Sequence, residues 1–314
     1  MSGNTEEDST SAGTQTVVRE NKHVPWRILQ AFTGSTFTWP FVAGFLFFVI
    51  APIVISFRVV LYNKQKSGLG LGEAKETFVG LANIVKAVQD ATFWTGLGRV
   101  ALYAVIMVPL TQFLSMVMAL LIDSVKAKTA GKFRILLLLP YMTPGIVSTI
   151  VWIYLYSPST SPFKWTGINF FDSSMVWFSM GQMAVWAGLG FNMLIMYGSL
   201  QSIPHEIIEA ARIDGASELR IAFSIKVPFM VSSVTFTTLF GIIGTLQLFN
   251  EPYFFRSISP QTITKDFTPA MQIYNEAFMV GNINYATALS LLLALVLCVA
   301  SIILYIAQGK VNRA

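Results

Sequence analysis

The chain has few of the residues that carry most enzyme and metal chemistry. Its 314 residues include one cysteine, two histidines and only 12% charged side chains. The single cysteine, Cys298, excludes an intramolecular disulfide and a cysteine-only metal site. Neither His23 nor His205 has a second histidine at the spacing of a metal site. The sequence therefore gives no support for a metal centre or a disulfide-stabilised fold.

Charge is also missing from long stretches of the chain. With 54% hydrophobic residues, the chain is too apolar for an ordinary soluble domain, and a helix of about 20 residues crosses the hydrocarbon core of a bilayer. Six segments have this length, at residues 37–61, 97–122, 135–156, 178–201, 228–250 and 286–308. Because charged residues lie only near the ends of these segments, the sequence predicts an all-α polytopic membrane protein with six transmembrane helices.

The distribution of basic residues predicts the orientation. The polar connection after the second segment carries Lys126, Lys128, Lys132 and Arg134. Dense positive charge in a short loop favours the cytoplasmic side. We therefore expect both termini in the cytoplasm, with a largely disordered tail at 1–36, a six-helix domain at 37–308 and a short C-terminal tail at 309–314.

Two stretches predict departures from plain membrane helices. Pro140, Pro144 and Gly145 interrupt the third segment, and such breaks are tolerated where neighbouring helices or a cavity satisfy the freed backbone groups. Apolar residues at helical spacing between 81 and 88 predict a short interfacial helix before the second segment. This helix either covers the bundle or contacts a partner, and the sequence leaves both open.

Uphill transport needs a source of energy, and none is visible in this chain. Ion-coupled carriers place ionisable groups inside the membrane, whereas positions 173–204, 227–250 and 277–309 contain none. This argues against a proton or sodium relay, although backbone carbonyls remain able to bind sodium. The Gly-x-x-x-x-Gly-Lys-Ser/Thr phosphate loop is also missing. The sequence therefore predicts that another subunit supplies the energy.

A polar insert separates the fourth and fifth apolar segments at residues 202–227. Pro204 suits the first turn of a helix, where no N–H donor is needed. Gly215 favours the left-handed conformation that ends a helix. A second helical run then extends to Pro228, whose missing N–H marks the start of the next apolar segment. The insert is predicted to form a helix, a glycine turn and a second helix beside the membrane.

The residues of this insert resemble the EAA loop of ABC importer permeases. Glu-Ala-Ala at 209–211, Gly215 and the apolar–proline pair at 227–228 recur at the family's offsets, with Val227 in place of the usual leucine. The wider run 201–216 is similar to the carbohydrate-importer branch of the family. The resemblance extends to the C-terminal helix and is to the first permease subunit of maltose-type oligosaccharide importers.

The resemblance implies a type I ABC importer permease fold. It implies a transmembrane subunit that forms half of the pathway of a binding-protein-dependent, ATP-driven sugar importer, with no catalysis and no cofactor on this chain. Mg-ATP would bind to a separate subunit. The implied partners are a second permease subunit, two cytoplasmic ATPase subunits and an external sugar-binding protein, with no nucleic acid. The implied location is the bacterial plasma membrane.

The same resemblance implies that the insert is the coupling helix that docks on the ATPase. The implied coupling residues are Glu209, Ala210, Ala211, Arg212, Asp214 and Gly215. Small alanine side chains would allow close approach, and the charged side chains would fix the register by charged hydrogen bonds. The glycine would allow the sharp turn, so a side chain there would misdirect the helix.

Uncharged polar and aromatic residues flank the insert on both sides. The candidate pathway residues are Trp186, Asn192, Gln247, Asn250 and Tyr253. Such groups suit a neutral, hydroxyl-rich ligand such as a sugar, and the resemblance implies that the helices on either side of the loop contribute to the pathway. The alternatives for each residue are an interhelical hydrogen bond or an aromatic anchor at the membrane interface.

Other functions stay open on the sequence alone. The chain fits an importer for another polar solute such as glycerol phosphate, although a phosphate ligand predicts Arg or Lys facing the cavity. An ion-coupled secondary carrier is the main rival, and it needs charges inside the membrane. A polytopic membrane enzyme needs clustered His, Asp or Cys near one interface, and no such cluster is visible.

Overall fold

The computed structural model describes residues 38–66, 74–124 and 127–311, most of which are helical. In chain order the helices are α1 (Thr38–Val60), α2 (Ala82–Val88), α3 (Ala91–Ser124), α4 (Ala127–Met142), α5 (Gly145–Tyr156), α6 (Val176–Leu200), α7 (His205–Ile213), α8 (Glu218–Ile221, the π-helical Ala222–Lys226 and Val227–Leu246), α9 (Asn250–Arg256), α10 (Pro269–Tyr274, followed by the π-helical Asn275–Val280) and α11 (Ile283–Val311). Two strands, β1 (Tyr62–Lys66) and β2 (Ala74–Phe78), lie between α1 and α2. The chain divides into two compact units, one ending at Ile55 and one beginning at Ser56.

Most of the predicted membrane segments are long apolar helices. Within the described ranges, the helices able to cross a membrane are Thr38–Val60, Ala91–Ser124, Val176–Leu200, Glu218–Arg256 and Ile283–Ile306. A helix satisfies its backbone hydrogen bonds internally, which is the requirement for crossing hydrocarbon. The predicted all-α class is confirmed, and a bent helix pair accounts for the remaining predicted segment.

That remaining segment is not a single helix. Its two apolar parts, Gly131–Met142 and Gly145–Tyr156, meet at an angle of 95°. Pro144 is the N-cap of α5, with φ −53° and ψ 132°, and a proline disfavours helical backbone in the residue before it. The predicted interruption at Pro144 and Gly145 is therefore confirmed, and the segment at 135–156 consists of two helices.

The outer faces of the helices carry large exposed apolar side chains. Val105 on α3 is 71% exposed, Phe240 on α8 is 59% exposed and Leu295 on α11 is 60% exposed. Apolar surface of this extent on a water-soluble protein marks an interaction site or an aggregation hazard. Hydrocarbon removes that cost, so these faces suit contact with lipid or with another membrane subunit.

Helix α6 packs very closely against α4. A Cβ atom built on Gly190 would lie 1.8 Å from the carbonyl oxygen of Leu137. No side chain fits at that distance from backbone, so this crossing requires glycine. Small residues at helix crossings in membranes allow the backbones to approach each other. Gly190 therefore fixes the distance between α4 and α6.

Two buried apolar clusters hold other parts of the bundle together. One joins α3 to α11 and contains the fully buried Phe93 and Leu289. The other joins α5, α6 and α9 and contains Tyr156, Met180 and Phe255. The core of the unit that begins at Ser56 is thus divided between several helix crossings.

The connection between α1 and α3 contains a β-hairpin that the sequence did not predict. Strands β1 and β2 are antiparallel, with Tyr62 opposite Phe78. The predicted short helix is confirmed as α2, and its buried residues are the polar Asn83 and the apolar Ala87. Asn83 is buried and donates to the carbonyl oxygens of Val60 and Tyr62 at 2.9 and 3.2 Å, whereas Val85 is 50% exposed.

A hydrogen-bonded carboxylate begins α3. Asp90 Oδ1 accepts the backbone N–H groups of Thr92 and Phe93, at 2.8 and 3.3 Å, in the manner of an N-cap. Asp90 Oδ2 accepts from the Tyr285 hydroxyl at 2.5 Å and from Gln272 Nε2 at 2.7 Å. Burial alone would raise the pKa of Asp90, but these hydrogen bonds together lower it below its usual value. The carboxylate joins α3 to α10 and α11.

Candidate coupling loop and translocation surface

The polar insert between α6 and α8 contains α7. Pro204 is the N-cap of α7, with φ −57° and ψ 132°, and the helix runs from His205 to Ile213. Glu206 lies in its first turn and Arg212 in its last turn, so both charges agree with the helix dipole. The predicted short helix is confirmed, with Pro204 immediately before its first turn.

A Schellman-type turn ends α7 at Gly215. The N–H of Gly215 donates to the carbonyl of Arg212 at 3.0 Å. The N–H of Ala216 donates to the carbonyl of Ala211 at 2.9 Å, which completes the motif. Gly215 has φ +76°, and no heavy atom lies within 4 Å of the position that a Cβ would take. A side chain at Gly215 would therefore strain the backbone without a steric clash.

The second helix of the insert continues directly into the membrane segment. Ser217 caps it by accepting the N–H of Arg220 at 3.3 Å. The helix then passes through the π-helical Ala222–Lys226 and on to Leu246. Pro228 follows this π turn, where its missing N–H is tolerated. Pro228 lies at the start of the α-helical membrane part, as predicted, but the chain stays helical across it, so one helix runs from the glycine turn into the bundle.

The predicted coupling residues lie together on one surface. Ala211 is half-buried, and the other five are exposed: Glu209, Ala210, Arg212, Asp214 and Gly215. Arg212 Nε donates to Glu218 Oε1 at 2.8 Å, with side chains 54% and 66% exposed. The hydrogen bond and the charge of Glu218 raise the pKa of Arg212. This pair joins α7 to α8 across the glycine turn, so Arg212 has a partner inside the insert.

Trp186 lies between two grooves. One groove, of about 450 Å³, lies between α4 and α6 and is lined by Leu137, Pro140 and neighbouring residues. The other, of about 340 Å³, lies between α3 and α6. Trp186 contributes to both, and Asn192 is half-buried further along the same helix. The predicted pathway residues of α6 therefore include a large aromatic ring at the meeting of two apolar grooves.

The other predicted pathway residues lie where α8 ends and α9 begins. Gln247 is the exposed C-cap of α8. Asn250 begins α9, and its Nδ2 lies 3.6 Å from the position of a Cβ built on Gly145. The ring of Tyr253 stacks on that of Phe249, with centroids 5.0 Å apart. These three residues lie at the junction of α8 and α9, whereas Trp186 and Asn192 lie on α6.

Helix α5 connects α6 to α9 through residues that were not predicted from the sequence. The Tyr156 hydroxyl donates to Gln182 Oε1 at 2.5 Å. The ring of Trp152 lies 5.3 Å from that of Tyr156 and 5.5 Å from that of Trp186. The ring of Tyr156 also packs edge-on against that of Phe255 of α9, with the ring centroids 6.5 Å apart. The only sequence signal was the spacing of four between Trp152 and Tyr156, which places both on one helix face.

Asp123 contacts residues at both ends of the insert. It lies in the last turn of α3, and its Oδ2 accepts from Lys226 Nζ at 2.6 Å. Its Oδ1 accepts from Gln201 Nε2 at 3.0 Å. Gln201 directly follows α6, and Lys226 ends the π turn of α8. No sequence pattern indicated Asp123 or Lys226, because an acidic residue at the polar end of an apolar segment is unremarkable by itself.

Long apolar helices joined by an exposed, charged insert of two helices and a glycine turn define a membrane-embedded transport subunit. Residues 113–314 match the family described as "Binding-protein-dependent transport system inner membrane component". The chain belongs to this family. The resemblance seen in the insert is thereby confirmed.

Relatives with named substrates cover most of the chain. The lactose transport system permease protein LacF of Rhizobium radiobacter is 27% identical over 292 residues, which span 88% of this chain and 94% of that protein. The arabinooligosaccharides permease protein AraP of Halalkalibacterium halodurans is 28% identical, over 81% of this chain and 84% of that protein. The trehalose/maltose permease protein MalF of Thermococcus litoralis is 25% identical, over 90% of this chain and 96% of that protein.

Solved structures share the fold. A chain of a bacterial ABC transporter involved in the import of the acidic polysaccharide alginate superposes with a TM-score of 0.75 and 17% identity, over 91% of this chain and 98% of that chain. A chain of a bacterial alginate ABC transporter, in complex with an alginate pentasaccharide-bound periplasmic protein, superposes with a TM-score of 0.76 and 16% identity. This match covers 92% of this chain and 98% of that chain. The type I ABC importer permease fold is confirmed.

Proposed function

We propose that this chain is one transmembrane subunit of a binding-protein-dependent, ATP-driven importer of sugars or oligosaccharides and forms half of the translocation pathway. The observation that carries the proposal is the insert, in which an exposed charged helix is joined at both ends to membrane helices. The sugar assignment is supported by relatives named for lactose, arabinooligosaccharides and trehalose/maltose.

Helix α7 is the part that docks on an ATPase subunit. Exposed apolar side chains lie beside these charges: Ile213 at the end of α7 is 86% exposed, and Leu219 and Phe223 at the start of α8 are 73% and 67% exposed. Such side chains favour burial against another protein. The small Ala210 allows close approach, and Glu209 supplies a charge that fixes the register.

ATP-driven closure of two ATPase subunits would move α7 and, with it, the helices on either side. Because α8 is continuous from the turn after Gly215 into the membrane, a displacement of the insert reaches the bundle directly. The membrane helices then move as rigid bodies and expose the pathway to each side in turn. This chain contributes movement and a path, while hydrolysis of Mg-ATP takes place on the partner.

The aromatic and amide groups around α5 and α6 suit a neutral sugar. Trp186 and Trp152 offer ring faces to the apolar side of a sugar, and Gln182 and Asn250 offer amide groups to its hydroxyls. The two grooves beside Trp186 are lined by apolar side chains, a threonine and the amide of Gln182. A phosphorylated solute would instead need cationic side chains there, so we favour a neutral carbohydrate over glycerol phosphate.

The complete transporter contains a second permease subunit, two cytoplasmic ATPase subunits and an external sugar-binding protein. In this assembly the chain lies in the bacterial plasma membrane with both termini and α7 on the cytoplasmic side. The basic residues Lys126, Lys128, Lys132 and Arg134 support this orientation by the positive-inside rule.

The test is ATPase activity of the chain co-purified with its partners and reconstituted in lipid vesicles. The external binding protein is added empty, and then loaded with glycerol phosphate or with each member of a panel of neutral and acidic oligosaccharides. We expect hydrolysis to be stimulated by one loaded form, together with accumulation of that sugar in the vesicles.

Two outcomes contradict the proposal. One is movement of solute by the chain alone along an ion gradient, which would make it a secondary carrier. The other is stimulation by a phosphorylated solute and by no sugar in the panel. Vesicles with the partner subunits but without this chain are the control.

A further inference from the structure

The two ends of the insert meet at one carboxylate of a third helix. Lys226, where the chain leaves the insert, is ion-paired with Asp123 at 2.6 Å, and Gln201, where the chain enters it, donates to the other oxygen at 3.0 Å. The ion-paired side chains are only 11% and 15% exposed. By comparison, the pair Lys64–Glu76 in the hairpin is 3.2 Å apart and 57% and 49% exposed.

The position of Asp123 is electrostatically unfavourable without its partner. It lies in the last turn of α3, where the helix dipole is negative and favours a cation over a carboxylate. Lys226 brings a cation to this helix end and neutralises the carboxylate. A pair so little exposed also loses most of its hydration, which offsets much of its attraction. Net stability is therefore a poor explanation for the pair, whereas a fixed geometry between helices is a role such pairs can fill.

A tightly packed apolar layer lies beside the Asp123 pair. It contains Ile122 of α3, Met193 and Leu200 of α6 and Met230 of α8, all buried. Ile225, adjacent to Lys226, packs against the same layer. A packed layer transmits displacement because it has little free volume to absorb it. The polar contacts of Asp123 thus fix the rim of a layer that already joins three helices.

We propose that Asp123 is a positioning residue that fastens both ends of the insert to α3, so that displacement of α7 moves α3 together with α6 and α8. This inference rests on the proposed function, because it assigns a role in coupling ATP hydrolysis to transport. Without the Asp123 contacts, movement of α7 is absorbed at the junction of insert and bundle. ATP is then hydrolysed with less solute moved.

The decisive variant removes both charges while keeping the side chains similar in size, as Asp123→Asn with Lys226→Met. In the reconstituted complex we expect the sugar transported per ATP hydrolysed to fall about tenfold, within the range of typical coupling between sites. The ATPase rate measured without the binding protein stays near that of the wild type, because hydrolysis takes place on the partner subunits. A residue with only a structural role would lower both rates together through the amount of folded protein.

Two further variants test the geometry of the contacts. Exchange of the charges, as Asp123→Lys with Lys226→Asp, restores the ion pair. This variant is expected to recover most of the wild-type ratio of sugar transported to ATP hydrolysed. Gln201→Met leaves the ion pair intact and removes only the contact at the start of the insert, so we expect a smaller fall. The matched control is Lys64→Met with Glu76→Gln, which removes the exposed hairpin pair and is expected to leave the ratio unchanged.

The outcomes separate this inference from the proposed function. A wild-type ratio in the neutral double variant overturns the role of Asp123 and leaves the importer assignment standing. An equal fall in the Lys64 and Glu76 control also overturns it, since any lost ion pair would then suffice. Absence of stimulation in the wild-type complex overturns both proposals.

Discussion

The backbone of Gly215 offers the sharpest test of the coupling helix. Its φ of +76° lies in the left-handed region, where an ordinary L-residue costs about 1–2 kcal/mol. Because no atom lies within 4 Å of a Cβ at this position, Gly215→Val adds this backbone strain and no clash. A β-branched residue is especially unsuited to positive φ.

The size of the effect follows from that cost. A difference of 1–2 kcal/mol changes the ratio of two conformations by about 5- to 30-fold, here the native turn against turns that place α7 differently. We therefore expect Gly215→Val to reduce sugar transport by up to that factor. The total stability of a folded domain is about 5–15 kcal/mol, so the bundle stays folded. Gly215→Asn is expected to retain most activity, because Asn tolerates the left-handed region. Gly215→Asp carries a new charge in the docking surface and is expected to uncouple transport.

A second glycine provides the matched control. Gly281 has φ +77° and is equally open, with no atom within 4 Å of a Cβ. Gly281→Val therefore adds the same strain outside the insert. Transport and ATPase activity are measured in vesicles at equal amounts of folded protein. Normal transport by Gly215→Val, or an equal loss in Gly281→Val, would refute the reasoning.

Three further predictions concern the packing, the pathway and the Asp90 carboxylate. Gly190→Ala is expected to destabilise the protein by roughly 1–3 kcal/mol or more through overpacking, which would lower its unfolding temperature in detergent. The control is Gly198→Ala, where the added methyl group enters open space, and its unfolding temperature is expected to stay the same or to rise. Trp186→Ala is expected to raise the apparent KM for the transported sugar by about two- to tenfold, which corresponds to ~0.5–1.5 kcal/mol of ring contact. Trp186→Phe is expected to give a smaller rise. An unchanged KM in the Ala variant would show that Trp186 is not part of the pathway. The folded pKa of Asp90 is lowered, so its stabilising effect is fully present above its usual pKa of about 3.9 and is lost as the pH falls through the lower folded value. Tyr285→Phe removes one donor and should move that loss to higher pH in unfolding measurements across the acidic range, while identical acid curves for the two proteins would contradict the assignment.

Local features of the sequence predicted the class of protein and the coupling loop. Segment length and missing charge are sufficient to predict membrane helices, because hydrocarbon accepts few other patterns. The glycine turn was predictable for a similar reason. Its geometry depends on Gly215 and on backbone groups within a few residues, all of which appear as a short pattern in the sequence.

Features that depend on two distant parts of the chain were not predictable in this way. The hairpin between α1 and α2 was missed, and so was the burial of Asn83 on α2 against the carbonyl groups at the end of α1 and in β1. Pro144 predicted a break in the third segment, but neighbouring helices, such as α6 at Gly190, decide how two short helices are placed at 95°. The contacts of α5 with Trp186 of α6 and with Phe255 of α9 were also not predictable, because they join distant parts of the chain.

Asp123 shows the division most clearly. The sequence by itself determined that an acidic residue ends one apolar segment and that a lysine begins another. Only the tertiary structure placed them 2.6 Å apart across 103 positions of the chain, and brought Gln201 to the same carboxylate. Spacing within a helix or turn is fixed by backbone geometry, so a pattern of residues reports it. The meeting of α3, α6 and α8 is fixed by the packing of buried side chains such as Met193 and Met230, and no short pattern in the sequence records which side chains will meet.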